Sequence, residues 1–357
     1  MSLPSHGSNP NYLYDYYQIK KPKQMIDFSV NINPLGIPNK IKELWPNLIN
    51  QVADYPDPKN KELIKVLSEK LAIDPVHLLL GNGAAELISL LGLYLHKKSI
   101  LIIQPTFSEY ERVCRAHHCQ INYYTIQPNQ TICLNKFEQA IQDKEAVFLC
   151  NPNNPTGKCI KKSLLKKMAD ICLKHNCLFI IDEAFYDFLI DYDQSIELHK
   201  QYNNLIFLRS LTKMYSIAGL RLGYLVAHPS IIKKIQPYLP HWHINAIALE
   251  VGKLCLNEFD FVKQTQLFIT EERKRMMNNL TKLSFEVIES EVNYYLMRDQ
   301  TTTNLQPLFI YLLRQGIVLR HTVNFPGLAG KWLRVAVKTK QENNTFLEAL
   351  KRWREIN

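Results

Sequence analysis

From about residue 78 the chain alternates short apolar runs with stretches of helical period. LLL at 78–80 leads into GNGAAELISLLGLYL, and ILII at 100–103 leads into FSEYERVCRAHH. AVFLC at 146–150 precedes a Pro-rich turn and KKSLLKKMADICLKH; LFIID at 178–182 and LIFLRS at 205–210 follow. Strands that read as continuous aliphatic runs are buried on both faces, which predicts an α/β fold with a mainly parallel sheet sandwiched by helices. Ligands of such sheets bind at the carboxyl ends of the strands. After about residue 240 the pattern changes. Residues 244–280 predict a long helical stretch, VIESEVNYYLM and IVLRHTV read as strands, and NNTFLEALKRW reads as a last helix, so a smaller α+β unit is expected. The Pro- and Asn-rich start reads as an arm. The expected organisation is an arm with part of the small unit at 1–45, a large domain at 46–240 and a small C-terminal domain at 241–357, as suits a chain of 357 residues.

A hydrophobic content of 46% is ample for a sizeable core, while the longest apolar run, LISLLGLYL, is too short to span a bilayer. MSLPSHGSNP has no basic region followed by an apolar stretch, so no secretory signal is expected. The eight cysteines form no CxxC pair and no zinc-finger spacing, and they read as reduced thiols of a cytoplasmic protein. His241-Trp242-His243 comes nearest to a metal motif but lacks a third ligand at motif spacing; it reads as a turn, and no metal is expected. The net charge of +10 is spread over short lysine pairs without interleaved aromatics. That pattern argues against nucleic acid and for a small anionic ligand or plain solubility.

The candidate chemistry lies at the predicted strand ends. GNGAAE at 81–86 is a glycine turn into a helix, where backbone amides can approach an anion; an ordinary tight turn would read the same way. NPNNPTG at 151–157 is a rigid turn that projects amide side chains. Asp182 ends a very apolar strand and asks for a cationic partner, while Glu183 beside it reads as a solvated strand end. Lys213, in LRSLTKMYSIAGLRLGY, sits among small and hydroxyl residues without an acidic neighbour, unlike the other lysines of the chain.

Taken in order, these pieces resemble the aspartate-aminotransferase-fold group, fold type I, of pyridoxal 5′-phosphate enzymes, and the likeness runs through the whole chain. The resemblance implies Lys213 as the Schiff-base lysine and Asp182 as the partner of the pyridinium nitrogen. It implies Asn154 as a donor to the ring's phenolic oxygen and Phe107 as the stacking ring. Gly83, Ala84, Ala85, Ser210, Thr212 and Arg221 would hold the cofactor phosphate, with Tyr55 arriving from a neighbouring subunit, so a homodimer is implied. Arg334, in WLRVAVKT, would clamp a substrate carboxylate.

Three segments narrow the likeness. His6-Gly7-Ser8-Asn9 with DFSVNINPLGIP at 27–38, the lysine segment, and VLRHTVNFPGLAGKWLRVAVKT at 318–339 resemble the L-threonine-O-3-phosphate decarboxylases of cobalamin biosynthesis. That family implies His6, Gly7 and Asn31 near the substrate phosphate, Asn154 within reach of substrate, Arg320 as the main phosphate cation and Arg334 on the carboxylate. Phe185 stands where typical aminotransferases carry tyrosine. Two departures are Ser8 for a glycine, and His321-Thr322 after Arg320, which adds a titratable ring beside the expected phosphate site. An aminotransferase, with histidinol phosphate as donor, is the alternative activity; a fold-retaining binding protein without turnover is the other class.

Overall fold

The computed structural model describes residues 3–4, 6–7 and 9–356. A short strand β1 (Ile26–Asp27) precedes the main sheet, whose strands are β2 (Leu78–Asn82), β3 (Ser99–Gln104), β4 (Gln120–Thr125), β5 (Ala146–Cys150), β6 (Leu178–Asp182), β7 (Leu205–Ser210) and β8 (Leu222–Ala227). Their spatial order is β2-β8-β7-β6-β5-β3-β4, and β8 alone runs antiparallel to its neighbours. The mainly parallel sheet expected from the aliphatic runs is therefore present. Alternate residues of those runs pack on opposite faces: Val147, Leu149, Phe179 and Ile181 join one apolar cluster, and Ala146, Phe148 and Ile180 another. Both faces are apolar, which is why no alternation shows in the sequence.

Two strands of the main sheet escaped the pattern. β4, QINYYT, is largely exposed at the sheet edge and polar in composition, and β8 lies inside the GLRLGYLV stretch already read for its arginine. The predicted long helix is two helices, Ala246–Leu256 and Phe259–Lys282, interrupted at Asn257 and Glu258.

The second sheet contains β9 (Phe285–Ile288), β10 (Tyr294–Asp299), β12 (Arg320–His321) and β13 (Leu333–Ala336), antiparallel in the order β12-β13-β10-β9; β11 (Ile317–Val318) pairs in parallel with β1. Residues 10–28 are tied into this unit. The helix Pro10–Tyr17 buries Leu13 and Tyr14, whose hydroxyl donates to the Leu313 carbonyl at 3.0 Å. Phe28 is fully buried against Phe346.

Register sets the site. Cys150 pairs with Asp182, and Asp182 with Leu208, so β5, β6 and β7 end nearly flush. At this edge Gly223 of β8 approaches its neighbours so closely that an added Cβ would meet the Ala84 amide nitrogen at 2.7 Å and the Arg209 carbonyl at 2.8 Å. Backbone cannot yield as a side chain can, so the start of the helix Gly83–Tyr94 is held against β8 by the absence of one methyl group. Gly223→Ala should destabilise the fold by roughly 2–4 kcal/mol, measured by urea denaturation.

Candidate active site

One cavity of about 230 Å³ opens along this strand edge and reaches the second sheet. Its lining includes Ala84 and Ala85 after β2, Phe107 and Tyr110 after β3, Asn154 after β5, Asp182 and Phe185 at the end of β6, and Ser210, Thr212 and Lys213 after β7. Arg221 precedes β8, Arg320 and Arg334 come from β12 and β13, and His6, Gly7 and Asn31 come from the N-terminal segment. Residues spread over more than three hundred positions are thus gathered into one wall.

The lining includes one lysine and three arginines, Lys213, Arg221, Arg320 and Arg334, and Asp182 is the one carboxylate among the lining residues. Burial, with Arg334 and Arg221 nearby, pushes the Lys213 amine down to about 8. Burial and the neighbouring Arg334 push Arg320 down to about 9, and burial pushes Arg334 down to about 10. Asp182 is raised from its ordinary value by burial, opposed by hydrogen bonds from the Tyr110 hydroxyl at 2.6 Å and the Ala184 amide at 3.0 Å. A wall with this charge balance is built for anions.

The cradle at the sheet edge has a specific shape. Gly83 takes φ +75, and a Cβ there would lie 2.6 Å from the Arg221 guanidinium. Arg221 is itself in the left-handed region at φ 58, and its Nη1 donates to the Ala218 carbonyl at 3.0 Å. Guanidinium, helix N-terminus and the paired hydroxyls of Ser210 and Thr212, 2.8 Å apart, surround one spot. This donor set suits a phosphate monoester. With Phe107 at the wall, Lys213 as a partly neutral amine and a buried carboxylate at Asp182, the residues present fit pyridoxal 5′-phosphate.

The second sheet supplies the other half. Arg334 donates through Nη1 to Asn154 Oδ1 and through Nη2 to the Ser29 carbonyl, each at 2.6 Å, while its Nε has no partner among the described residues. The bond to Asn154 turns that amide so that its NH₂ remains available to the cavity. Arg320 lies directly across the β12–β13 pair from Arg334 and donates to Asn324 Oδ1 at 2.7 Å. The Nδ2 of Asn31 is buried, also without a partner among the described residues.

Residues 23–350 match the family described as aminotransferase class I and II. The chain belongs to this family. It is 33% identical to the threonine-phosphate decarboxylase of Salmonella typhimurium, over 97% of this chain and 96% of that protein. Among solved structures, the L-threonine-O-3-phosphate decarboxylase from Porphyromonas gingivalis aligns with a TM-score of 0.82 at 25% identity, covering 92% of this chain and 99% of that one. The histidinol-phosphate aminotransferase from Clostridium acetobutylicum aligns with a TM-score of 0.87 at 31% identity, covering 92% and 99%.

Of the residues expected from the family likeness, Tyr55 is the one that neither lines the cavity nor touches a lining residue through a described contact. It is 81% exposed, and its ring packs on Trp242 at 4.7 Å. Gly83 adjoins the cavity through Arg221, and the remaining expected residues line it. Ser8 lies outside the described residues. Glu183 departs from expectation: it is fully buried in an ion pair with Arg209 at 2.8 Å, and Arg209 lies over the Tyr186 ring at 3.6 Å. Phe185 is buried and meets Tyr294 edge-on at 4.9 Å, while the Tyr294 hydroxyl is turned to the Asn153 carbonyl.

Three further residues matter that the sequence did not single out. Asn33 receives nothing from the cavity but holds the lysine loop: its amide nitrogen bonds the Lys213 carbonyl at 3.0 Å and its side chain the Met214 carbonyl at 2.8 Å. Glu109 bonds His6 Nε2 at 2.9 Å, and His6 and Arg112 hold its carboxyl at about 2. Tyr110 bonds Asp182. The i, i+3 spacing of Phe107 and Tyr110 is the one signal that could have paired them.

His321 is a correction to the expected titratable ring. Burial and the adjacent Arg320 push its imidazole down to about 4, so it is neutral near pH 7. Its Nε2 lies 3.0 Å from both the Pro4 carbonyl and Arg320 Nη1, and Nε2–H satisfies only the carbonyl. The ring thereby tethers the segment that carries His6 and Gly7. An unfolded histidine binds its proton near pH 6.5, so between that pH and about 4 the unfolded chain holds more protons and stability falls with falling pH. His321→Gln should remove about 2–3 kcal/mol of that acid-side loss, read as a flatter pH dependence of the urea midpoint.

Proposed function

We propose that this protein is a pyridoxal 5′-phosphate-dependent carboxy-lyase that converts L-threonine O-3-phosphate to 1-amino-2-propanol O-2-phosphate and carbon dioxide, a step of cobalamin biosynthesis. The observation that carries this reading is the facing pair Arg320 and Arg334, two buried guanidinium groups in register across two short strands. Like charges directly opposite each other destabilise a sheet. A substrate that bears both a phosphate and a carboxylate offsets that repulsion with two anions held a fixed distance apart.

In this reading Lys213 would carry the cofactor, Asp182 would serve its ring nitrogen, Phe107 its ring face and Asn154 its phenolic oxygen. The amides of Gly83, Ala84 and Ala85, with Ser210, Thr212 and Arg221, would hold its phosphate. When bound, the cofactor supplies an electron sink for the pair of electrons left when a bond to Cα breaks. Arg334 holds the substrate carboxylate with Asn154 as its brace, and Arg320, His6, Gly7 and Asn31 hold the substrate phosphate. Fixing both ends leaves one orientation about Cα, which decides the bond that breaks. Lys213, its amine pushed down to about 8, still holds its proton near pH 7 but yields it more readily than an ordinary lysine, and is suited to return a proton to Cα.

We also assign the exposed Tyr55 to the active site of a second copy of the chain. Its ring packs on the exposed Trp242, and Trp45, Ile49 and Val52, close to it in sequence, are also exposed apolar side chains that a homodimer would cover. Sedimentation should give a dimer, and Ile49→Glu with Val52→Glu should yield a monomer with weakened cofactor binding.

The reaction test uses cofactor-loaded protein and L-threonine O-3-phosphate without any 2-oxo acid. Steady release of carbon dioxide and amine is expected, abolished in Lys213→Ala. Arg320→Ala should lower kcat/KM by about 10²–10³-fold, as loss of a charged hydrogen-bonded anchor implies. Turnover of histidinol phosphate that depends on an added 2-oxo acid, with no carbon dioxide from threonine phosphate, would make the protein an aminotransferase instead.

A further inference from the structure

The Tyr110 hydroxyl is part of the electrostatic machinery without belonging to any expected set. It is fully buried, donates to Asp182 Oδ2 at 2.6 Å, and its ring stacks on Phe148 with centroids 5.2 Å apart and planes 15° from parallel. Burial and the Asp182 charge push the phenol well above its ordinary value, so the hydroxyl is a donor at every working pH. The Ala184 amide serves the other oxygen of Asp182. Each carboxylate oxygen thus has one fixed donor and one free lone-pair direction.

Asp182 itself is nearly excluded from solvent, and burial raises its proton affinity. A carboxylate that is too basic would take the proton from a pyridinium partner rather than leave it there. A short hydrogen bond from a neutral phenol stabilises the charged carboxylate and lowers that affinity. The Ala184 amide acts in the same sense on the other oxygen, but the phenol is the stronger of the two; of the other neighbours, the buried Cys150 thiol is held neutral, Glu183 opposes it with like charge, and Lys213 is engaged by its own chemistry.

We propose that Tyr110 is a positioning residue that acts through Asp182, setting where the proton between this carboxylate and the cofactor's ring nitrogen resides. The inference rests on the reading that Asp182 faces that nitrogen. The phenol keeps the proton on the ring, and the Phe148 stack keeps the phenol in place. Without the hydroxyl, the ring nitrogen loses part of its positive charge and withdraws fewer electrons, so other basic atoms conjugated with the ring hold their protons more tightly.

The experiment titrates the visible absorbance band of the cofactor-loaded protein against pH in four forms: native, Tyr110→Phe, Phe148→Leu and Asp182→Asn. In Tyr110→Phe the band's pH midpoint should move up and kcat should fall about tenfold with KM changed less than twofold, the scale of one lost hydrogen bond to a charged group. Phe148→Leu, which disturbs packing but keeps the hydroxyl, should lower stability with a smaller midpoint shift. A Tyr110→Phe midpoint equal to the native one, while Asp182→Asn moves it, overturns the role of Tyr110 alone. A midpoint unmoved in Asp182→Asn overturns the placement of Asp182 and with it the underlying reading of the site.

Discussion

Buried like charge is the constraint around which this molecule is organised. Arg320 and Arg334 face each other across a two-residue pairing, 3% and 5% exposed, with Lys213 in the same cavity wall. Desolvating three cations together is unfavourable, and their lowered proton affinities express that cost. The surroundings offset part of it with neutral acceptors: the Asn154 amide oxygen, the Ser29 carbonyl, the His321 carbonyl and the Asn324 amide oxygen. Dipoles of this kind hold a guanidinium in place without cancelling its charge. The field is therefore left for a ligand.

Holding that arrangement requires the two sheets to be locked together, and the segment 27–33 does so. Its backbone receives Arg334 at Ser29 and the Ala336 amide at Phe28, and Asn31 O receives the Asn293 side chain. Two residues on, Asn33 binds the carbonyls of Lys213 and Met214. One stretch of chain thus touches the strand that carries Arg334 and the loop that carries Lys213. A shift in either would be felt by the other, because the link is made of buried hydrogen bonds with no slack.

Beneath the site, the pair Glu183–Arg209 plays a different part. Both side chains are fully buried, one just after β6 and the other within β7, and Arg209 is capped by the Tyr186 ring. A buried pair of this kind adds little net stability but defines which strands lie side by side. Asp182 and Glu183 are adjacent acids with opposite fates: Asp182 lines the cavity, and Glu183 points to the far side of the sheet edge to meet Arg209.

Much of this could be read from the chain alone. Continuous aliphatic runs at 100–103, 146–150, 178–182 and 205–210 announced buried parallel strands, because strands covered on both faces have no polar side to show. Lys213 and Asp182 stood out because each breaks the local rule for its residue type, whereas the GNGAAE turn alone reads equally as an ordinary tight turn. The edge strand β4 was not, since an exposed edge strand has little apolar pattern. Nor could the sequence place Arg320 opposite Arg334, bring Tyr110 to Asp182, reveal that Glu183 is buried, or tell that His321 is neutral and ties down Pro4. Each of those depends on strand register or on burial, which are properties of the assembled sheets: a single residue of slip would turn Arg320 to the other face. Sequence determined which chemical groups the site has at its disposal, and tertiary structure decided which of them face one another.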